Sequence, residues 1–202
     1  VYLSPLRTAP LLIVALLVWT DTPYDSYQTG AKWLSDMLEP ATIAFAVPLY
    51  KYFHILKKHA AEIIVSVLSG SVAAIVSSLF IARLLHLNMQ IVDSLIPRSV
   101  TTPIAMGVSA SIGGVPAITA VFVIMTGLLG SVIGPMVIRW LRIENDIARG
   151  VLLGTAAHGA GTSKAFEFSP ITGTISSLSM ILAALMTLGV APWLVPVLAG
   201  VF

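Results

Sequence analysis

The sequence predicts an all-α polytopic membrane protein with an inverted-repeat, transporter-like fold and two interrupted or re-entrant helices. Hydrophobic residues make up 57% of the 202 residues and charged residues only 10%, whereas a soluble domain has about 25% charged residues. Several apolar stretches approach the roughly 20 residues that a helix needs to cross a bilayer. Two further apolar segments are broken at corresponding positions, which predicts the transporter-like part of the fold.

Composition also excludes several classes of function. The net charge of +2 is too small for a nucleic-acid-binding surface. The chain has no cysteine, which excludes disulfides, thiolate metal sites and a cysteine nucleophile, and we predict neither a metal nor a cofactor. Because the chain starts at Val1 and its first apolar run, residues 11–19, is short, we expect N-terminal sequence to be missing. The linkers are short, so we predict a single transmembrane domain over residues 1–202.

We predict seven apolar segments in chain order. Two are uninterrupted spans, two carry Gly, Pro and Thr interruptions, and three carry prolines near their ends or middles. The segments are residues 3–20, 33–50, 60–86, 91–112, 115–141, 146–168 and 171–202.

Small residues recur every four positions along the two uninterrupted spans. This spacing forms a flat ridge that lets another helix approach closely in lipid, although small residues are also common in membrane helices generally. The ridges can serve internal packing, a homodimer or a partner protein. They consist of Ser66, Gly70, Ala74 and Ser78 in the first span, and Thr126, Gly130 and Gly134 in the second.

The sequence repeats at an offset of 56 residues, with halves at about 60–112 and 115–168. In each half a small-ridged helix, a basic end and a polar turn precede an interrupted segment. If segment 91–112 enters and leaves the membrane on one side, most loop cations fall on the cytoplasmic side, namely Lys51, Lys57, Lys58, Arg139, Arg142 and Arg149. A complete crossing would divide them, so we predict an inverted repeat with a re-entrant segment.

The candidate binding residues lie in the interrupted segments, because breaks expose helix N-termini that suit an anion. Arginine can bind a carboxylate with a two-pronged fork, and lysine supplies a point charge. The first segment offers Arg98, Ser99, Thr101, Thr102 and Pro103. The second offers Thr155, His158, Gly159, Gly161, Thr162, Ser163 and Lys164.

Several of these residues have alternative interpretations. Arg98 and Lys164 can instead reach a membrane edge or form structural ion pairs, Lys164 with Glu167. His158 can couple proton movement to transport or be a structural histidine. Glu39 and Glu167 are further candidates for proton or ion coupling, and Glu39 is equally a helix-start residue. We interpret Asp93, near a helix start, as structural.

We predict no enzyme activity. Ser163, His158 and Glu167 have the residue types of a hydrolytic triad, but neither a G-x-S-x-G nor an H-E-x-x-H pattern occurs in the sequence.

Four blocks of the sequence resemble one known family. They are "EPATIAFAVPLY" (39–50), "PRSVTTPIAMGVSASIGG" (97–114), "ITAVFVIMTGLLGSVIGP" (118–135) and "GTAAHGAGTSKAFE" (154–167). In this order they resemble the signature blocks of the LrgB/CidB family. Family members often have arginine at the position of Lys164 and serine at that of Ala157.

The resemblance implies a multi-pass protein of the bacterial cytoplasmic (inner) membrane, antiholin-like or holin-like, and tied to murein hydrolase regulation and cell lysis. It implies a small membrane partner of the LrgA/CidA type. Plastid relatives exchange glycolate and glycerate, and some bacterial pairs are linked to pyruvate, so it also implies a small monocarboxylate as the organic anion.

Two hypotheses of function remain. The first is a secondary transporter of small monocarboxylates. The second is a holin- or antiholin-like regulatory or pore-forming protein without a specific substrate site. The paired broken segments favour the transporter, because a pore formed by oligomerising helices does not need them.

Overall fold

Every regular element is an α-helix in the computed structural model, which describes residues 5–37, 40, 43 and 46–201. The prediction of an all-α fold is confirmed for this part of the chain. We number the helices α1 (Pro5–Trp19), α2 (Tyr24–Asp36), α3 (Ala46–Lys51), α4 (Phe53–Lys58), α5 (Ala60–Leu84), α6 (Met89–Leu95), α7 (Thr102–Ile112), α8 (Pro116–Trp140), α9 (Asp146–Phe168) and α10 (Pro170–Val201).

The chain divides into two compact units, residues 1–47 and 48–202. The first contains α1 and α2, and the second contains α4 to α10 with every feature discussed below. The predicted single domain over residues 1–202 stays a prediction. Within the predicted segment 33–50, α2 ends at Asp36 and α3 begins at Ala46, and Glu39 lies outside the described residues.

Three of the described helices are long and apolar enough to cross a membrane, by length and composition. They comprise residues Ala60–Leu84, Pro116–Trp140 and Pro170–Trp193. The predicted segment 91–112 instead forms two short helices, α6 and α7, and α9 contains a non-helical residue.

The helices α5 and α8 have the same length, 25 residues each, and each bound of α8 lies 56 positions after that of α5. Both end in the same turn. His86 follows α5 with φ 51°, and Arg142 follows α8 with φ 50°. After each turn an asparagine caps the next helix: the Asn88 side chain accepts from one backbone N–H of α6, and Asn145 accepts from two of α9. The predicted repeat is therefore accompanied by matching helix bounds and matching turns.

The two ends of α9 lie close together. On a straight helix Arg149 and Phe168 would be about 28 Å apart, but the Arg149 guanidinium carbon lies 5.5 Å from the centre of the Phe168 ring. Near the same end, the Thr172 hydroxyl donates to the Asp146 carboxylate over 2.8 Å. Helix α9 thus doubles back on itself, with a first arm (146–157) and a second arm (159–168).

The segment between α5 and α8 also brings its two helices into contact. Val92 in the middle of α6 and Ile96 just after that helix share a hydrophobic cluster with Val108 of α7. Between the helices, Val100 packs in a second cluster with Val123 of α8. The break in this segment is therefore held against the first half of α8.

Candidate functional site

The break in α9 is formed by His158, whose backbone has φ 39° and ψ −129°. Glycine adopts a positive φ freely, whereas a residue with a Cβ does so at a cost of order 1–3 kcal/mol. The imidazole is buried, and its Nε2 lies 3.0 Å from the carbonyl oxygen of Val123. Because a carbonyl only accepts, Nε2 carries the hydrogen. The ring packs on Gly127, where an added Cβ would lie 2.6 Å from the imidazole Cε1, so the turn of α9 is held against the middle of α8.

The hydroxyls that follow His158 are engaged within the fold. The Thr162 hydroxyl donates to the His158 carbonyl over 3.0 Å, and it lies 2.9 Å from the Ser176 hydroxyl of α10. Since Thr162 has one hydroxyl hydrogen, Ser176 is the donor between the two. Ser163 donates to the Gly159 carbonyl. These side chains fix the second arm of α9 to itself and to α10.

Arg98 lies in the other break and is half-buried. Its Nε donates to the Ser78 hydroxyl of α5 over 3.1 Å, and that hydroxyl donates to the Ala74 carbonyl. None of the ion pairs among the described residues involves Arg98. The terminal nitrogens of its guanidinium group therefore have no carboxylate partner in the part of the chain that is described.

Two grooves adjoin Arg98. The first, of about 500 Å³, carries a series of hydroxyl side chains, and we call it the hydroxyl groove. The second, of about 530 Å³, is almost entirely apolar and lies along α8. They share Arg98, Leu152 and Ala156. The lining of the hydroxyl groove includes Ser66, Gly70, Ser77, Arg98, Ser99 and Thr155.

The hydroxyl groove is the place where the two interrupted segments meet. Arg98 and Ser99 come from the first break, and Thr155 comes from the first arm of α9. The Thr155 hydroxyl oxygen is buried and has no hydrogen-bond partner. The same holds for Thr101, the residue before α7, whose side chain does not cap that helix. A cation with hydroxyl side chains beside it in one groove can bind a small anion.

Comparison with known proteins identifies the family. The sequence matches the LrgB-like family over residues 1–197. The chain belongs to the LrgB-like family. No solved structure matches it.

Three relatives of this LrgB-like protein cover nearly its whole length. YwbG of Bacillus subtilis (strain 168) is 66% identical over 96% of the chain and 86% of its own length. YxaC of the same strain is 40% identical over 92% of the chain and 80% of its own. A Bacillus mycoides (strain KBAB4) protein named antiholin-like protein LrgB is 34% identical, over 96% and 84%. Family membership and the three apolar helices together indicate a membrane protein.

Lys164 is not among the lining residues of either groove. Its ammonium group donates to both carboxylate oxygens of Glu167, over 2.7 and 2.8 Å. The Lys164 side chain is 19% exposed and that of Glu167 is 64% exposed. In this LrgB-like chain the ion-pair alternative for Lys164 is the arrangement seen, and Lys164 does not line either of the two described grooves that Arg98 lines.

The remaining predicted residues divide between open and closely packed positions. Thr102 and Pro103 form the first turn of α7, where proline suits the helix start. A Cβ added at Gly159 would meet nothing within 4 Å. A Cβ at Gly161 would overlap the carbonyl oxygen of Leu153 in the other arm of α9. Of the two glycines, Gly161 is therefore the one that the doubled-back α9 requires.

The small-residue ridges pack against α9 or line the grooves. A Cβ added at Gly70 would lie 3.1 Å from the Thr155 methyl group, and one at Gly134 would lie 2.6 Å from a Leu153 methyl group. A Cβ at Gly130 would overlap Ala157. Ser66 and Ala74 line the hydroxyl groove, Thr126 lines the apolar groove, and Ser78 accepts from Arg98. Of the proposed roles for the ridges, internal packing therefore accounts for the three glycines.

Sequence reasoning missed several residues around the breaks, among them Ser176, whose hydroxyl lies 2.9 Å from that of Thr162. Val123 accepts from His158, Gly127 makes room for the imidazole, and Ser77 lines the hydroxyl groove. Gly127 lies beside the predicted ridge of Thr126 and Gly130, so its small size was a signal in the sequence. Val123 contributes a backbone carbonyl, which no sequence pattern distinguishes.

Proposed function

We propose that this LrgB-like protein has an antiholin-like function in a membrane. The observation that carries the proposal is the 34% identity to a relative named antiholin-like protein LrgB, which extends over 96% of the chain. An antiholin opposes holin-dependent lysis. A partner of the LrgA/CidA type and a location in a bacterial cytoplasmic membrane belong to the same proposal.

The test is a lysis assay in a bacterium that carries an inducible holin. The full chain should delay the fall in culture turbidity compared with an empty vector. The variant Gly161→Ala, which disturbs the doubled-back α9, should shorten that delay, and Gly159→Ala should preserve it. The antiholin function would be refuted if cells with the full chain in their membrane lysed at the same rate as cells with the empty vector.

Specific geometry favours a second candidate function, the transport of small monocarboxylates. Its main support is Arg98, a half-buried guanidinium group with no carboxylate partner among the described residues. A charge within an apolar bundle is costly, and it by default indicates a functional site. Hydroxyl side chains that line the same groove, Ser99 among them, offer hydrogen bonds to the bound anion.

The arrangement of the helices supports the same proposal. Helix α9 doubles back at His158, near the middle of α8, so we infer that it enters the membrane to about half its depth and returns. If residues 89–112 do the same, the equal helices α5 and α8 run in opposite directions across the membrane and the two halves form an inverted repeat. Binding sites of transporters with such repeats lie near the midplane, where broken helices meet.

The transport proposal is tested in proteoliposomes with labelled pyruvate, glycolate and glycerate. We expect saturable uptake of at least one of them, with kcat/KM lowered about 10- to 100-fold in Arg98→Ala, since a hydrogen bond to a charged group contributes about 1.5–3 kcal/mol. The kcat/KM of Arg98→Lys should lie between those of the wild type and of Arg98→Ala, because lysine keeps the charge but lacks the two-pronged fork of arginine. The matched control is Arg139→Ala at the exposed end of α8.

The outcomes separate the two candidates. Saturable uptake with the same kcat/KM in Arg98→Ala and Arg139→Ala would show that Arg98 is not part of the site. If the wild-type protein shows no uptake but delays lysis, the transport function is refuted and the antiholin function is supported.

A further inference from the structure

A buried carboxyl group lies five residues before Arg98 in the sequence. Asp93 is in α6 and is only 9% exposed. Its Oδ1 atom is buried without a hydrogen-bond partner. None of the ion pairs among the described residues includes it. A carboxylate removed from water without a compensating cation is strongly disfavoured, so a group in this position either carries a proton or binds a cation.

The polar groups around Asp93 are occupied with one another. The Ser94 hydroxyl donates to the Gln90 carbonyl over 2.6 Å and accepts from the Val115 N–H over 2.8 Å. Thr119 of α8 donates to the Ser109 hydroxyl over 2.6 Å. All three hydroxyl side chains are fully buried. Among these groups, Asp93 Oδ1 is therefore the atom without a hydrogen-bond partner. A bound sodium ion would need several free oxygen ligands, and the neighbouring hydroxyl oxygens are already hydrogen-bonded.

Asp93 also adjoins the junction between α7 and α8. A Cβ added at Gly113, the left-handed residue that ends α7, would lie 3.5 Å from Asp93 Oδ2. The carboxyl group therefore packs against the backbone of this turn, where a neutral carboxyl group can donate a hydrogen bond and a carboxylate cannot.

The charged groups on the neighbouring helices do not pair with Asp93. Helix α6 packs against α5, α7 and α8. Their charged residues are Glu62 and Arg83 on α5 and Arg139 on α8, while α7 has none. Glu62 and Arg139 lie at the opposite ends of their helices from α6, and no ion pair joins Arg83 to Asp93.

We propose that Asp93 is a proton-binding site whose protonation is coupled to the movement of the anion at Arg98. The coupling rests on the proposed transport function. Asp93 and Arg98 belong to the same short segment between α5 and α8, five residues apart. When that segment opens to water, the carboxyl group releases its proton and becomes a carboxylate; when the segment closes, the carboxylate takes up one proton from water and is neutral again.

Proton binding is measured without reference to transport, by infrared difference spectroscopy of the full chain in lipid as pH is changed. The wild-type protein should give a C=O stretching band of a buried protonated carboxyl group that Asp93→Asn lacks. The control Asp146→Asn, which alters a carboxylate already hydrogen-bonded by Thr172, should keep the band. A band of full intensity in Asp93→Asn would overturn the assignment.

Coupling is measured in proteoliposomes with labelled pyruvate. With one proton per anion, an inward gradient of one pH unit supports about tenfold accumulation. Asp93→Asn should lose this accumulation and still exchange labelled for unlabelled anion, which also demonstrates that the variant folds. Retained accumulation in Asp93→Asn, or accumulation by the wild type in a sodium gradient at constant pH, would refute proton coupling. If the wild type neither accumulates nor exchanges, the transport function fails, while the infrared band still decides whether Asp93 binds a proton.

Discussion

Replacing Gly161 by alanine tests the doubling back of α9. On a straight helix this change would be favourable, since alanine stabilises a helix interior by about 0.5–1 kcal/mol relative to glycine. In the structure the new Cβ would overlap the Leu153 carbonyl oxygen and lie 2.7 Å from the Ala157 Cβ and 3.0 Å from the Leu153 carbonyl carbon. Carbon atoms in contact normally lie 3.5–4.0 Å apart, so the two arms would have to separate by roughly 1 Å.

The expected loss in free energy of unfolding of Gly161→Ala follows from this overlap. Forcing an extra methyl group into a packed interior costs about 1–3 kcal/mol. The matched control is Gly159→Ala in the same helix, because its Cβ would meet nothing within 4 Å and should add about 0.5–1 kcal/mol of stability. The two variants should therefore differ by about 1.5–4 kcal/mol in free energy of unfolding.

The assay is equilibrium unfolding in mixed detergent micelles, followed by far-ultraviolet circular dichroism. Gly161→Ala should unfold at a lower denaturant fraction than the wild type, and Gly159→Ala at an equal or higher one. Equal stability of the two variants would refute the close approach of the arms, and with it the doubled-back α9.

Two further predictions concern the turn of α9 and are read out in the same assay. His158→Gly should be about 1–2 kcal/mol more stable than His158→Ala, because both lose the imidazole but only alanine keeps a Cβ at φ 39°; equal stabilities would argue against that backbone conformation. A double-mutant cycle with Thr162→Val and Ser176→Ala should give a coupling of about 0.5–1.5 kcal/mol, as expected for a buried hydroxyl pair, and additivity of the two changes would mean that the pair is not formed.

The sequence predicted the long helices well, because apolar length is a local property. The uninterrupted spans were predicted at 60–86 and 115–141, and α5 and α8 have bounds within two residues of these. The segment 146–168 coincides with α9. Its reversal at His158 was only partly predictable, because no proline marks it. The contacts that fix the turn come from Val123, Gly127 and Ser176, on two other helices.

The candidate site illustrates the same distinction. Arg98 and Thr155 were proposed from their positions in broken segments, and they line one groove. Lys164 was proposed on the same grounds, but its neighbour Glu167, three residues later, already binds it. Asp93 was interpreted as a structural helix-start residue, because its burial depends on α7 and α8, which a local pattern does not place.

The two breaks share one support. Val123 of α8 packs with Val100 in the first break, and its carbonyl accepts from His158 in the second. Each break also has a support of its own: Arg98 is bonded to α5 through Ser78, and the turn at His158 is bonded through Thr162 to Ser176 on α10. A substitution that shifts the first half of α8 would therefore disturb both breaks at once, although they lie far apart in the sequence.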